Sequence, residues 1–347
     1  MWSRLRRRPP DRMALSAVVI GPNHLEVVTS APLDPGPGDA VVQIVSSGIC
    51  GTDVSILKGG IPVAPGRVLG HEGAGLVQEV PAGSDLEQGA PVLVDPAIAC
   101  GRCGLCRDGH ENLCHNGGLL GRDMDGLFTN IAAVPVTNLY RLPPDFDVGL
   151  APTLQVVATV VRAQDAVTVA PGDVAVVIGL GFTGQLHAQL LRHRGLRVLG
   201  IGRSEGKRAL ASHLACEWVA TPDEAAVALT EVSPDGARLV VEAAGTMPAL
   251  RTAIALVRPG GTILCYGTYT DTEARLPFYD LYLKEVDLIN TRASRPRDMV
   301  ATLALAAGGA FDLEPLVSDR LPLDSAPEAL DLSSKGALKV LMTHARL

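Results

Sequence analysis

The sequence predicts an α/β protein in two parts, a β-rich first part and a second part built on a doubly wound parallel sheet. Three observations lead to this prediction. The length of 347 residues corresponds to about two domains. From residue 14 to about 140, short β-branched runs are separated by Gly, Pro and Asp, which is typical of an all-β, barrel-like domain. From about residue 156, Ala- and Leu-rich helical stretches alternate with compact apolar runs, and strand, helix, strand repetition produces parallel sheets.

Individual elements follow from the same patterns. The first part contains strand-like runs at 17–20, 25–29, 40–46, 75–80 and 91–94. The second part contains apolar runs at 174–178, 197–201, 239–242 and 262–266, with a helical stretch at 185–193 after the first of them. A helix at about 297–308 and a last apolar run at 338–342 indicate that the chain returns to the first part.

Composition and charge exclude several classes of function. The net charge is −7 and aromatic residues make up 3%, which argues against a nucleic-acid groove. Residues 1–12 differ from the rest, with five arginines against one aspartate, and we expect a flexible basic leader with Met13 as an alternative start. The apolar run that follows is too short, and has no cleavage site, for a secretory signal. No run is long enough to cross a bilayer, so we expect a cytoplasmic protein that binds neither nucleic acid nor membranes.

Four of the seven cysteines, Cys100, Cys103, Cys106 and Cys114, lie close together at intervals of two, two and seven residues. Four thiolates in one loop can close a tetrahedral site around zinc, which favours sulfur ligands. A disulfide pair is disfavoured in a reduced cytoplasm, and an iron–sulfur cluster can use similarly compact spacing. A structural zinc is the interpretation that this spacing favours.

A second group of candidate ligands lies in glycine-bounded turns of the first part. Cys50 is in the run Gly-Ile-Cys-Gly-Thr-Asp, and His71 is in Gly-His-Glu. Thiolate and imidazole are good zinc ligands, and the nearby carboxylates of Asp53 and Glu72 can orient them. Each residue alone is more typical of a buried thiol or a hydrogen-bonded turn histidine, so the prediction depends on the combination.

Residues 179–184 read Gly-Leu-Gly-Phe-Thr-Gly between an apolar strand and a helical stretch. Glycines allow the tight turn and close approach of a pyrophosphate, and the helix N-terminus supplies N–H groups and a positive dipole. This context predicts dinucleotide binding by Gly179, Gly181, Phe182, Thr183 and Gly184. The alternative is a glycine-rich turn without a ligand.

The end of the next strand bears on the choice of dinucleotide. A site that prefers NAD places Asp or Glu there to accept from the ribose 2′-hydroxyl, whereas this chain has Gly-Arg-Ser at 202–204. Arg203 and Ser204 can donate hydrogen bonds to a 2′-phosphate. We therefore predict NADP(H) rather than NAD(H); the alternative is that Arg203 is a solvated side chain in a turn.

Together these motifs resemble the zinc-containing alcohol or polyol dehydrogenases of the medium-chain dehydrogenase/reductase superfamily, over nearly the whole chain from Met13. Further matching runs are Val-Glu-Ala-Ala-Gly at 241–245, Arg-Pro-Gly-Gly at 258–261 and Leu-Lys-Val at 338–340. The resemblance implies a GroES-like β-barrel catalytic domain at 13–155 and 293–347, a Rossmann domain at 156–292, and an active-site cleft at their junction. It also implies a homodimer or homotetramer.

By this resemblance Cys50 and His71 match catalytic zinc ligands, Glu72 the adjacent carboxylate, and Thr52 the hydroxyl that passes the substrate proton. Ala244 and Gly267 are further candidate contacts of the dinucleotide. Ser55 lies where some members carry a relay histidine, so a longer relay is not expected.

The third catalytic ligand departs from the family pattern. The family places Cys, Glu or Asp about sixteen residues before a Pro-Gly-Asp turn, a position that is Gln155 in this chain; a gapped alignment gives Pro152. A neutral amide contributes no charge at zinc. A catalytic zinc here is therefore weakly held, completed by Glu72 or water, or lost.

These observations favour an NADP(H)-dependent, zinc-assisted oxidoreductase that interconverts a secondary alcohol and its ketone by hydride transfer. A polyol, cyclitol or sugar-like molecule is the expected small-molecule substrate. One alternative is a zinc-independent NADPH reductase of a C=O or activated C=C bond that keeps only the structural zinc. Another is a non-catalytic protein that binds NADPH.

Overall fold

A computed structural model describes residues 14–30, 33–269, 273 and 275–344. The basic leader predicted at residues 1–12 lies outside the described residues. Within them, the helices are all too short or too polar to cross a membrane.

The strands and helices alternate with many short turns. The strands are β1 (Ala14–Gly21), β2 (His24–Ser30), β3 (Asp39–Gly48), β4 (Arg67–Val68), β5 (Glu72–Glu79), β6 (Pro91–Val94), β7 (Ala97–Ile98), β8 (Gly118–Leu119), β9 (Ile131–Pro135), β10 (Leu139–Arg141), β11 (Val174–Ile178), β12 (Arg197–Ile201), β13 (Trp218–Ala220), β14 (Ala237–Glu242), β15 (Val257–Cys265), β16 (Asp287–Asn290), β17 (Asp319–Pro322) and β18 (Val340–Thr343). The α-helices are α1 (Gly51–Leu57), α2 (Gly104–Arg107), α3 (Pro152–Gln164), α4 (Phe182–His193), α5 (Glu205–Leu214), α6 (Ala225–Val232), α7 (Met247–Leu256), α8 (Phe278–Lys284), α9 (Pro296–Ala307) and α10 (Ala326–Ser334).

The chain divides into two compact units. Of the described residues, the first unit comprises those within 1–103, 114–155 and 317–347, and the second comprises those within 104–113 and 156–316. Residues 293–316, which the sequence analysis placed in the returning segment, therefore group with the second unit. The domain bounds expected from the sequence remain a prediction.

The second unit contains a six-stranded sheet in the order β13-β12-β11-β14-β15-β16. All five strand pairs are parallel. Numbered from β11, this is the strand order 3-2-1-4-5-6 of dinucleotide-binding folds. The next two strands, β12 and β13, are added on one side of β11 and the last three on the other, so the strand order reverses between β11 and β14. The predicted α/β class with a doubly wound parallel sheet is confirmed.

Both faces of this sheet are buried, as a parallel sheet requires. Successive residues of β11 point to opposite faces, so Val176 and Ile178 enter one apolar cluster while Ala175 and Val177 enter another. Helix α7 contributes to the first cluster with Leu250, Ala253, Ile254 and Leu256, and helix α5 contributes Ala211 to the second. Strands buried on both sides read as continuous apolar runs, which is why the sequence pattern located them.

The first unit is β-rich. Its larger sheet has the order β10-β6-β5-β3-β18-β17, with β9 also paired to β3, and a smaller sheet has the order β2-β1-β4. Strand β18 runs antiparallel to β3, so the end of the chain joins strands formed near its beginning. Together with the pairing of β3 and β5, it brings the end of β3 next to the starts of β5 and β18, where the candidate catalytic residues lie.

Candidate active site and metal centres

The four cysteines predicted to bind zinc lie together. Their sulfur atoms are all within 4.8 Å of one another, and the short helix α2 carries Cys106. The Sγ atoms of Cys103 and Cys114 are 3.8 Å apart, which is a non-bonded distance and equals about the edge of a tetrahedron with Zn–S bonds of ~2.3 Å. The donor set and its spacing therefore fit a structural zinc ion.

The backbone of this loop favours thiolates. Hydrogen bonds from the backbone N–H groups of Arg102 and Cys103 lower the pKa of Cys100 to about 6, and the N–H of Cys100 lies 3.3 Å from Cys114 Sγ. Donors that point at sulfur stabilise the anion, the form that binds metal.

A second cluster comprises Cys50, His71 and Glu72, whose ligand atoms also lie within 4.8 Å of one another. Two paired strands bring them together, because Gly48 at the end of β3 is the partner of Glu72 at the start of β5. Cys50 follows β3 and precedes α1, and His71 directly precedes β5. The donor set of thiolate, imidazole and carboxylate fits a zinc ion.

The turn before His71 requires glycine. Gly70 has φ +91°, and a Cβ on it would overlap the fully buried ring of Phe128. Any side chain at this position would therefore displace both the backbone and the aromatic ring beneath it.

Asp53 contacts both Cys50 and His71, the candidate ligands. This fully buried carboxylate accepts a hydrogen bond from the backbone N–H of Cys50 at 2.9 Å through Oδ2, and its Oδ1 lies 3.4 Å from His71 Nδ1. The contact at Nδ1 leaves His71 Nε2 as the free ligand atom. Burial opposes the charged imidazole, but Asp53 and Cys50 outweigh it and raise the pKa of His71 well above its ordinary value. The surroundings of the His71 ring therefore favour a positive charge.

Glu72 has a partner that the sequence analysis did not identify. Its fully buried carboxylate forms an ion pair with Lys339, itself only 4% exposed, which precedes β18. The run at 338–340 matches a family motif, which by itself gives no role for the lysine. The signal that could have found it was a charged residue inside an apolar strand-like run.

The other predicted catalytic residues occupy different positions. Thr52 is in the first turn of α1, with Oγ1 at 3.9 Å from Cys50 Sγ. Gln155 is buried in the first turn of α3, at 7% exposure. Their roles remain predictions.

The glycine-rich loop connects β11 to α4 in the second unit. Gly179 has φ +96°, and a Cβ on it would lie 2.8 Å from the backbone nitrogen of Ala244. Gly184 packs against the carbonyl of Gly179, whereas a Cβ on Gly181 would meet nothing within 4 Å. Gly181 is the N-cap of α4 and makes no side-chain cap hydrogen bond, and a helix N-terminus is a favourable place for an anion.

The carboxyl ends of β14 and β15 lie beside the glycine-rich loop at the same edge of the sheet. The buried carboxylate of Glu242 accepts hydrogen bonds from the backbone N–H groups of Ala244 at 2.8 Å and Gly245 at 3.0 Å, and from the hydroxyl of Tyr269. A Cβ on Gly267 would overlap Gly245, so these two loops touch through their backbones. The sequence predicted Ala244 and Gly267 near the dinucleotide but missed the role of Glu242 in shaping the turn between them.

Arg203 and Ser204 follow β12. Arg203 is exposed, and within the described residues its side chain makes no hydrogen bond or ion pair. Ser204 is the N-cap of α5 and accepts from the backbone N–H of Lys207 at 3.4 Å. Arg208 donates to the carbonyls of Gly202 and Arg203, which stabilises the turn and leaves Arg203 available to a ligand.

Comparison with known proteins identifies relatives of both units. Residues 36–144 match the alcohol dehydrogenase GroES-like domain, and residues 183–308 match the zinc-binding dehydrogenase family. The chain is 27% identical to sorbitol dehydrogenase of Halalkalibacterium halodurans, over 93% of this chain and 96% of that protein.

Two solved structures are similar over the same extent. Alcohol dehydrogenase TADH from Thermus sp. ATN1 is 31% identical with a TM-score of 0.86, covering 95% of this chain and 100% of the other. A structure from Sinorhizobium meliloti 1021, solved as a zinc-binding dehydrogenase target with NADP bound, is 28% identical with a TM-score of 0.89, covering 95% and 99%.

Proposed function

Because the chain belongs to the zinc-containing alcohol and polyol dehydrogenases of the medium-chain dehydrogenase/reductase superfamily, we propose that it is an NADP(H)-dependent oxidoreductase. Its substrate is a secondary alcohol of polyol, cyclitol or sugar type, which it interconverts with the ketone. The observation that carries the proposal is the cluster of Cys50, His71 and Glu72 beside Thr52, in a chain that also has a dinucleotide-type glycine loop. The sorbitol dehydrogenase relative supports the polyol class.

In this proposal the residues of the first unit hold a metal and move a proton. Cys50 Sγ and His71 Nε2 hold the zinc ion, and Asp53 keeps the imidazole oriented through Nδ1. Thr52 Oγ1 would accept the proton of the substrate hydroxyl while it releases its own proton to solvent. When bound, zinc would supply polarisation of the substrate oxygen, and a nicotinamide would supply or take up the hydride.

The second unit binds the dinucleotide. The N–H groups at the start of α4 face the pyrophosphate, and Gly181 lets it approach the backbone. Arg203 and Ser204 donate to the 2′-phosphate, a proposal that the NADP-bound neighbour supports. We further propose a cytoplasmic homodimer or homotetramer, which size-exclusion chromatography with light scattering would test.

Zinc content and turnover test the function together. We expect about two zinc ions per chain, and oxidation of at least one alcohol in a panel of polyols with NADP+. Cys50→Ala should lower the count by one and reduce kcat about 100-fold or more, since a charged ligand is lost. Cys216→Ala, which removes a buried cysteine outside both clusters, is the matched control and should keep both zinc ions.

A second candidate function is a zinc-independent NADPH reductase that keeps only the structural zinc. It is favoured by the pairing of Glu72 with Lys339 and by the neutral side chain at Gln155, because Cys50 is then the remaining anionic candidate ligand of the described cluster. One zinc per chain, with unchanged kcat in Cys50→Ala, would favour this candidate and contradict the zinc-assisted mechanism.

A further inference from the structure

We propose that Lys339 is a positioning residue that withholds Glu72 from the metal bound by Cys50 and His71. The inference rests on the proposed metal at that site. With Lys339 present, Glu72 lies within ligand range but stays paired to the ammonium; without Lys339, Glu72 becomes a ligand.

The ion pair is built into the ends of three strands. Gly48, the last residue of β3, pairs with Glu72 of β5 on one side and with Leu341 of β18 on the other. A Cβ on Gly48 would overlap Glu72 Oε2 and lie 3.1 Å from Lys339 Cε. The absence of a side chain at Gly48 therefore makes the space in which the ion pair lies.

Lys339 joins the two chain segments that carry the ligands. Its Nζ contacts the carboxylate of Glu72, the residue after His71, and donates at 2.9 Å to the carbonyl of Ile49, the residue before Cys50. Among the described residues, no donor has hydrogen-bond geometry to either oxygen of Glu72. The ion pair with Lys339 is thus the interaction that holds this buried carboxylate.

The charges at the site favour an arrangement in which Cys50 and His71 bind the metal while Glu72 stays paired with Lys339. A thiolate at Cys50 and a neutral imidazole at His71 leave one net positive charge on a zinc ion, and Gln155 contributes none. If Glu72 turned to the metal, the buried ammonium of Lys339 would lose its carboxylate, which is costly away from water. Without the ammonium of Lys339, binding of Glu72 to the metal becomes the favourable state, because the metal is then the cation next to the carboxylate.

Metal binding tests the proposal without any turnover. The full-length chain is treated with chelator until one zinc remains, and zinc and Co²⁺ are then titrated into the weaker site, which Cys50→Ala assigns. We expect Lys339→Met to bind zinc about tenfold more tightly or better, since a neighbouring positive charge is removed and an anionic ligand is gained. The visible d–d bands of bound Co²⁺ should shift as the carboxylate enters the coordination sphere.

Three further variants complete the experiment. The double variant Lys339→Met/Glu72→Gln removes both charges of the ion pair, so their sum stays zero as in the wild type. Its affinity for zinc should be within about threefold of the wild type, and its Co²⁺ spectrum should match that of the wild type. Glu72→Gln alone should leave the Co²⁺ spectrum unchanged, since Glu72 is not a ligand in the wild type. Lys335→Met, at an exposed lysine on the surface near α10, is the control and should bind like the wild type.

Several results would overturn the proposal. A Co²⁺ spectrum that changes in Glu72→Gln would mean that Glu72 already binds metal, and this comparison holds even if Lys339→Met does not fold. Unchanged or weaker zinc binding in Lys339→Met, or no second metal in any variant, would also overturn it. Failure to oxidise any alcohol would instead refute the proposed function and leave these binding results intact.

Discussion

The same substitution at two glycines of the loop after β11 should have opposite consequences. Gly184 lies in the first turn of α4, where a Cβ would be 1.8 Å from the carbonyl oxygen of Gly179. Gly181 has φ −72°, which alanine adopts easily, and a Cβ there would meet nothing within 4 Å. We therefore expect Gly184→Ala to destabilise the fold and Gly181→Ala to impair only cofactor binding.

The magnitudes follow from this geometry. An ordinary carbon–oxygen contact is about 3.2 Å, so in Gly184→Ala the helix and strand must separate by more than 1 Å, at about 3 kcal/mol for overpacking. The better helix propensity of alanine, about 1 kcal/mol, does not offset this. For a unit of this size Tm should fall by about 6 °C or more. Gly181→Ala should keep Tm within about 2 °C but weaken NADPH binding roughly 10- to 100-fold, the cost of one lost charge-assisted hydrogen bond.

Differential scanning calorimetry of the two variants and isothermal titration calorimetry with NADPH separate these effects. A wild-type Tm for Gly184→Ala would refute the packing argument. A wild-type Kd for Gly181→Ala would refute the placement of the pyrophosphate at this loop, since the methyl group would then face no ligand.

Two further predictions concern charge. Arg203→Ala should raise the KM for NADPH about tenfold or more and leave the KM for NADH unaffected, because in the proposed function its exposed guanidinium contacts only the 2′-phosphate. An equal loss with both cofactors would contradict this. Burial, assisted by the positive charge of Arg194, lowers the pKa of His187 to about 3 in the folded protein. Below about pH 6.5 the histidine is therefore protonated in the unfolded chain but still neutral in the folded one. The stability present above about pH 6.5 is lost as the pH falls towards 3. Between pH 6.5 and 5 this proton binding lowers the free energy of unfolding by about 2 kcal/mol. In calorimetry, His187→Leu should therefore reduce the fall in Tm between pH 7 and pH 5 by about 4 °C. The same substitution at exposed His193 is the control and should not reduce that fall.

Local sequence patterns predicted much of the fold. The strands of the parallel sheet are compact apolar runs, so their positions could be read from the sequence, and the structure confirms the doubly wound class. The four cysteines were equally accessible to prediction, because all lie within one short loop whose spacing limits how far apart the sulfur atoms can be. The glycine loop was predicted because its turn, strand and helix are consecutive in the chain.

Interactions between distant segments were not predictable in this way. Lys339 meets Glu72 only because β18 pairs with β3 at the rung where β3 also pairs with β5. Likewise, Glu242 shapes the turn at Ala244 and Gly245 together with Tyr269 from the next strand's end. Register between strands is set by the packing of the whole sheet, which no local pattern contains.

The sequence by itself therefore determined the α/β class, the order of elements and the residue types available for chemistry, since these depend on short-range periodicity and spacing. Only the tertiary structure decided which charges face one another. A buried carboxylate one residue from a candidate ligand reads as a ligand in the sequence, but a buried lysine from the far end of the chain gives it a different partner. The physical reason is that the energy of a buried charge depends on its nearest countercharge in space, and folding alone establishes that neighbour.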